Sequence, residues 1–374
     1  MPRPRPVPRS DDGALGVTFL GHGAERTGPP IYLARVLEVL RHHPSIRPEV
    51  VLLEGGPLLD TISDLAPTWV LDRPHRGRGR PRGEVVVVNT AGSIRALPFL
   101  GRRPHRLVSH VHELSTGFEF HLTAERRHLL LTTSDEVWTV ADAVTDYLVQ
   151  RHGLDADRVR CHRGVLPDDA FDAPDDAAGA ALRAGLGIAP DAVLLGASGT
   201  LDWRKAPDLF VRILAEVERR TDRPVHAAWF GGSPDGPWAR HLRAMAAGCG
   251  LTDRVHLVPE QDRPDRSFPA LDLFVLPSRE DAYPLVCLEA AAAGVPLVCF
   301  TSGGAPELAA MGAGITVPYP DVRAFAEAVA DLLADEPRRR VLADGARRAA
   351  LAHRASDRVP DLVADLHRVA GGPP

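Results

Sequence analysis

Short strand-like runs alternate along the chain with longer stretches whose apolar residues recur every three or four positions. In the first half the runs are Val17–Leu20, Glu49–Leu53, Glu84–Val88, Arg106–Val111 and Glu136–Val140. In the second half they are Ala192–Ala197, His226–Phe230, Val255–Val258, Leu273–Leu276 and Pro296–Phe300. Apolar runs this short, with little polar alternation, predict strands buried on both faces, as in a parallel sheet. The 3.6-residue spacing predicts helices from about Ile31 to His42, over Asp142–His152, Pro207–Arg220, 237–248 and 284–293, from about Val322 to Ala334, and onward to the end. This β-α-β alternation predicts an α/β protein with doubly wound parallel sheets.

At 374 residues the chain exceeds one ordinary core and fits two domains. Residues 1–14 are Arg- and Pro-rich and read as a disordered tail. A first domain spans 15–166. An acidic, Pro-containing linker covers 167–190, and a second domain spans 191–352. A last helix over 353–374 is placed to pack back on the N-terminal domain. Residues 73–83, DRPHRGRGRPR, read as a solvated loop. In open α/β sheets ligands bind beyond the carboxyl ends of the strands, so the chemistry is expected in the loops that follow strands.

Composition narrows the classes. A formal net charge of -5 argues against nucleic-acid binding through a global basic field. No run of eighteen apolar residues exists, so no transmembrane segment is expected, although a peripheral membrane contact remains open. The four cysteines show no C-x-x-C spacing and read as reduced thiols of a cytoplasmic protein. No histidine pair has metal-ligand spacing beside an acidic partner, so no metal is expected. Lys205 is the only Lys and Asn89 the only Asn, the mark of a GC-rich, bacterial genome. Arg replaces most surface Lys but not a Lys acting as a compact charge on phosphate, which makes Lys205 a functional candidate.

Two loops of the second half carry the chemistry. After strand Ala192–Ala197 comes S-G-T-L-D-W-R-K-A-P-D. Pro207 suits the first helical position, so Arg204 and Lys205 stand before a helix N-terminus and form an anion site. After Leu273–Leu276 comes P-S-R-E-D-A-Y-P-L-V-C-L-E. Pro284 can open a second helix, with Asp281 in the loop before it and Glu289 inside an apolar run. A Glu buried there needs strong hydrogen-bond donors, and a ribose diol offers two. The plainer readings are a salt bridge to Arg for Glu289, a helix cap for Asp281 and a neighbouring carboxylate for Arg204.

Asp281 and Glu289, eight apart, resemble the acidic signature of family-four retaining glycosyltransferases of GT-B fold. Trp203-Arg204-Lys205 is similar to that family's basic pair for the donor diphosphate, and Gly303-Gly304-Ala305-Pro306-Glu307 to its G-G-x-P-E loop. The family usually has Glu where Asp281 stands, so Glu280 and Asp281 are both candidates for the first carboxylate. Thr200 replaces an Arg found in many relatives. The resemblance implies two Rossmann-like domains facing a central cleft and metal-independent hexosyl transfer from a nucleotide-diphosphate sugar, with no cofactor beyond that co-substrate. It implies a donor site of Gly28, Thr200, Arg204, Lys205, Glu280, Asp281, Tyr283, Pro284, Leu285 and Glu289. His110-Val111-His112-Glu113 is similar to an H-x-H-E segment on the acceptor side, joined there by His22 and Asn89. His112, Asp281 and Lys205 are the catalytic candidates. The acceptor implied is a glycan, a lipid-linked sugar or a small molecule. Rival readings are a GT-B nucleotide-sugar epimerase, a phosphorylase and a non-catalytic nucleotide-sugar binder. Lys205 sits in a phosphate-type loop, which disfavours a phosphorylase built on a Schiff-base Lys.

Overall fold

The computed structural model describes residues 13–72, 81–172 and 176–371. Most of the expected tail, most of the loop over 73–83 and part of the expected linker lie outside these residues. The chain divides into two compact units, Met1–Pro167 with His353–Pro374, and Asp168–Ala352.

Unit 1 runs β1 (Leu15–Gly21), α1 (Gly28–Leu40), β2 (Ile46–Leu52), α2 (Leu59–Leu65), β3 (Thr68–Val70), β4 (Val85–Asn89), β5 (Arg106–Val111), α3 (Ser115–His121), α4 (Ala124–Thr133), β6 (Glu136–Thr139), α5 (Asp142–His152) and β7 (Val159–Cys161). The strands form one parallel sheet in the order β3-β2-β1-β4-β5-β6-β7. The V-V-V-V-N run of β4 is buried throughout, as a central strand covered on both faces must be.

Unit 2 continues with α6 (Asp176–Gly185), β8 (Val193–Ser198), α7 (Pro207–Glu218), β9 (Val225–Phe230), α8 (Pro237–Gly248), β10 (Val255–Val258), β11 (Leu273–Leu276), α9 (Leu285–Ala292), β12 (Leu297–Phe300), α10 (Ala305–Leu308), β13 (Gly314–Val317), α11 (Val322–Ala334) and α12 (Glu336–Leu351). Its parallel sheet is ordered β10-β9-β8-β11-β12-β13. The order reverses at β8/β11, as it does at β1/β4 in unit 1, and a reversal of this kind opens a crevice at the carboxyl ends. Helix α7 buries Leu209, Phe210, Ile213, Leu214 and Val217 against the sheet, and Phe210 meets Trp229 edge to face at 5.4 Å.

The last helix, α13 (Ala355–Val369), belongs to unit 1. Leu166 and Arg354 form a parallel bridge, with Leu166 N–H donating to His353 O at 2.7 Å and Ala355 N–H to Leu166 O at 2.8 Å. The buried His353 donates from Nδ1 to Gly164 O at 2.9 Å.

Three differences from the sequence reading have physical causes. Residues 176–190, expected within the linker, belong to unit 2. They contain α6, whose Arg183 donates to Ala270 O and Ala192 O and pairs with Asp272 at 2.9 Å. Strand β2 begins at Ile46 and carries Pro48 into the sheet, because β1 pairs with it from Leu15 onward. Strands β3 and β7, of three residues, are too short to carry a period, and β13 was not anticipated either. Helices α2, α3, α4 and α6 were likewise not anticipated.

A glycine inside α12 yields a testable consequence. A Cβ on Gly345 would lie 2.1 Å from Gly312 O of a neighbouring turn. Gly345→Ala gains about 1 kcal/mol of helix propensity, but overpacking costs about 1–3 kcal/mol. The clash is with backbone, which cannot rotate away, so the upper end applies. Melting is expected to fall by about 2–8 °C, and an unchanged or raised melting point would contradict this packing. A second expectation concerns acid. Burial, with the charges of Arg163 and Arg358, holds the His353 imidazole down at about 4 despite its hydrogen bond to Gly164. The unfolded chain, near 6.5, then binds the proton first. The stability contribution is present above pH 6.5 and is lost as pH falls from there towards 4. His353→Gln should reduce the drop in melting point between pH 7 and 5 by about 4–8 °C, as read by calorimetry at both pH values.

Candidate functional site

The carboxyl end of β8 passes through Gly199–Ala206 into α7, and the carboxyl end of β11 passes through 277–284 into α9. Both loops border the strand-order reversal of unit 2. Arg279 staples them. Its backbone N–H donates to Arg204 O at 2.8 Å, its Nη1 to Trp203 O at 2.9 Å, and its guanidinium grips Asp208 in α7 at 2.8 and 2.6 Å. The guanidinium also lies 5.3 Å from the Trp203 ring centroid. Burial opposes ionisation of Asp208, but the Arg279 hydrogen bond and charge outweigh it and hold the carboxyl below its ordinary range.

Lys205 and Asp281 meet across these loops, Nζ to Oδ2 at 2.5 Å, with only 18% and 10% of their side chains exposed. The Lys stem packs where Gly199 has no side chain; a Cβ there would touch its Cγ, Cδ and Cε at 3.3 Å. Gly199 also adopts φ +146°, which an L side chain resists. Asp202 organises the turn by accepting from Lys205 N–H at 3.0 Å, Thr200 Oγ1 at 2.9 Å and Arg204 Nη2 at 3.3 Å. Burial raises the Asp202 carboxyl, yet these donors and the Arg204 charge leave it below its ordinary value. The neighbouring-carboxylate reading of Arg204 thus describes its exposed pairing with Asp202.

Asp281 is not a helix cap. Pro284, rather than opening the helix, occupies the cap position of α9 in extended conformation, with no side-chain cap bond. Asp281 O accepts from Gly304 N–H at 3.1 Å, which brings in the Gly303–Glu307 loop; Ser302 Oγ donates to Ser278 O at 2.7 Å. Glu289 sits inside α9 at 7% exposed, and Tyr283, Pro284 and Leu285 are buried beside it. Glu280 is half-buried, its N–H directed at Arg204 O at 3.4 Å. Unit 2 therefore brings together Thr200, Arg204, Lys205, Glu280 and Asp281, with α9 carrying Glu289. The sequence reading left out Arg279 and Asp202. A lone Arg between two strand-end loops rich in carboxylates was the available signal.

Gly28 lies in unit 1, exposed at the first position of α1. The remaining candidates also belong to unit 1, at the carboxyl ends of β1, β4 and β5. His112, half-buried after β5, bonds through Nε2 to Asn89 Oδ1 at 3.0 Å, and Asn89 Nδ2 donates to Pro29 O at 3.0 Å. Glu113 accepts from Thr90 Oγ1, from Ala91 N–H at 3.1 Å and from His112 N–H at 2.8 Å. Burial pushes its carboxyl up against these donors. Thr90 is held at φ +78°, a conformation β-branched residues avoid, by those contacts and by its own N–H to His110 O at 2.9 Å. Burial lowers the His22 imidazole, helped by His121 and Arg95.

Two acceptor-side expectations need correction. His110 is 1% exposed, wedged 5.0 Å from the Tyr32 ring and 4.3 Å from the His112 ring, with Nε2 3.3 Å from His162 O. Asn89 is 2% exposed and engaged internally. Both support the surface instead of forming it, because central strands covered on both faces bury their side chains on either side.

Among the described residues no three His, Cys, Asp or Glu side chains are placed to hold a metal ion, and no helix is long and apolar enough to cross a membrane. Comparison with known proteins shows what the chain resembles. Residues 180–349 match the model described as "Glycosyl transferases group 1". Proteins named D-inositol 3-phosphate glycosyltransferase are similar: that of Xylanimonas cellulosilytica is 32% identical over 59% of this chain and 54% of its own, and that of Geodermatophilus obscurus 34% over 66% and 53%. The chain thus spans about half the length of these relatives in the match. Among solved structures, HepE of Anabaena in complex with UDP-glucose superposes with a TM-score of 0.80 at 19% identity, covering 95% of this chain and 100% of that one. WaaG, a glycosyltransferase involved in lipopolysaccharide biosynthesis, gives 0.69 at 17%, covering 94% and 99%. With its two parallel Rossmann-like sheets the chain has the GT-B fold, and residues 180–349 are similar to the glycosyl transferases group 1 family.

Proposed function

We propose that this protein transfers a sugar from a nucleotide-diphosphate sugar to a hydroxyl-bearing acceptor, with retention at the anomeric carbon and without a metal or cofactor. The observation that carries this reading is the Lys205–Asp281 pair at the strand-order reversal, between the N-terminal ends of α7 and α9. Unpaired backbone N–H groups and a cation at such a point attract a diphosphate. A bound diphosphate would take Lys205 from Asp281, freeing the carboxylate for the hydroxyls of the transferred sugar. Arg204 would add charge from the rim and Glu289 would hold the ribose. As the bond from the anomeric carbon to phosphate oxygen breaks, its electron pair leaves on the nucleoside diphosphate, where Lys205 and the helix ends stabilise it. The acceptor oxygen forms the new bond and its proton passes to the departing phosphate. The His112–Glu113 cluster of unit 1 is assigned to the acceptor. HepE is known with UDP-glucose, so uridine donors are the first to test, and the names of the relatives put D-inositol 3-phosphate first among acceptors.

Thermal melting against nucleoside diphosphates and their sugars tests the donor site. At a hundred times its dissociation constant a ligand adds about 2.7 kcal/mol, or about 5–10 °C here. The expected result is a shift with one nucleotide family, unchanged by EDTA and abolished in Lys205→Ala and Glu289→Gln. A shift that EDTA removes would overturn metal independence, and no shift with any nucleotide would sink the donor site. Product analysis by proton NMR then separates the readings. A new glycoside with the donor's anomeric configuration supports transfer, whereas donor epimerisation without acceptor or binding without turnover overturns it.

A further inference from the structure

The hydrogen bonds around Asn89 determine more than its own orientation. Pro29 O is a carbonyl and can only accept, so the Asn89 atom 3.0 Å away from it is the amide NH2. The Asn89 atom facing His112 Nε2 at 3.0 Å is then the carbonyl oxygen, which likewise only accepts. His112 Nε2 must carry the hydrogen. Turning the Asn89 amide would set its oxygen against Pro29 O, acceptor against acceptor, and the backbone of Asn89 is held in place besides. Its backbone O accepts from Ser93 Oγ at 2.9 Å, it sits opposite His110 in the β4/β5 register, and the next residue is the constrained Thr90.

Resting on the sugar-transfer reading above, we propose that Asn89 is a positioning residue that locks His112 as the Nε2–H tautomer, leaving Nδ1 as a bare acceptor for a sugar hydroxyl. His112 is half-buried, and no hydrogen bond to its Nδ1 is found among the described residues. The Tyr32 ring at 5.2 Å and the His110 ring at 4.3 Å keep the imidazole in its plane. Burial, with the charge of His22, pushes the His112 pKa down to about 3, so the imidazole stays neutral through the physiological range. It therefore takes part as a neutral hydrogen-bond acceptor and not as an imidazolium. A tautomer held by a second side chain is a known determinant of rate, because the wrong one presents a hydrogen where a lone pair is needed.

The test is nitrogen-15 NMR of the full chain with labelled histidine, the His112 signals being assigned by their absence in His112→Gln. The expected wild-type result is one tautomer, protonated on Nε2 and bare on Nδ1, with no titration between pH 8 and about 5. In Asn89→Ala the same signals should show exchange between both tautomers. Where the donor is turned over, Asn89→Ala should lower kcat at least about tenfold with donor KM little changed. A wild-type His112 protonated on Nδ1, or a single Nε2–H tautomer surviving in Asn89→Ala, would overturn the proposal. Neither spectrum depends on turnover, so failure of the sugar-transfer reading leaves this decision intact. Should Asn89→Ala not fold, the wild-type spectrum alone still decides the tautomer.

Discussion

Each sheet of this protein reverses its strand order once, and the placement of its chemistry follows from that constraint. Parallel strands need crossovers that lie over the faces of the sheet, so the faces are occupied by helices and cannot hold a ligand. Where the order reverses, the two adjoining crossovers leave to opposite faces and their loops part. In unit 2 the reversal separates β8 from β11, and the loops that part there carry Lys205 and Asp281. In unit 1 it separates β1 from β4, and the loops there carry His22 and the Asn89–Thr90 corner.

Within unit 2, two cation–carboxylate pairs play different parts. Arg279 and Asp208 form a bidentate clasp whose planar geometry fixes the distance between the loops. Lys205 and Asp281 form a single contact, largely withdrawn from water. Removing one partner of such a pair strands a charge, whereas exchanging the partner for another of the same sign does not. A point charge on a flexible stem suits exchange and a guanidinium fork suits permanence. That difference matches what the side chains hold: the guanidinium grips both Asp208 oxygens and Trp203 O, and the Lys205 ammonium pairs with Asp281.

Unit 1 works by burial instead of charge. His110, His112 and His353 are all held below their ordinary range, desolvation being the main cause in each. Neutral imidazoles have direction: one nitrogen gives and the other takes. Carbonyl acceptors at His162 and Gly164 and the fixed amide of Asn89 decide which nitrogen does which. The strain at Thr90 is supported by the hydrogen bonds that also satisfy half-buried Glu113.

Much of this was legible in the sequence. Ten of the strands, the main helices and a two-domain length follow from local period and chain length, which the sequence carries on its own. Lys205, Asp281 and Glu289 stood out because a lone Lys and a Glu in an apolar helix are physically conspicuous residues. The three-residue strands, helix α6 within the expected linker and the entry of Pro48 into β2 were not legible, since neighbouring strands and tertiary contacts fix them. Nor was the clasp of Arg279 on Asp208, whose partners are 71 residues apart. The burial of His110 and Asn89 was decided by the sheet, because β4 and β5 are central strands covered on both faces. The sequence by itself determined which residues have the chemistry to act. Only the tertiary structure decided which of them face each other, because hydrogen bonds and ion pairs act over a few ångströms of space and not along the chain.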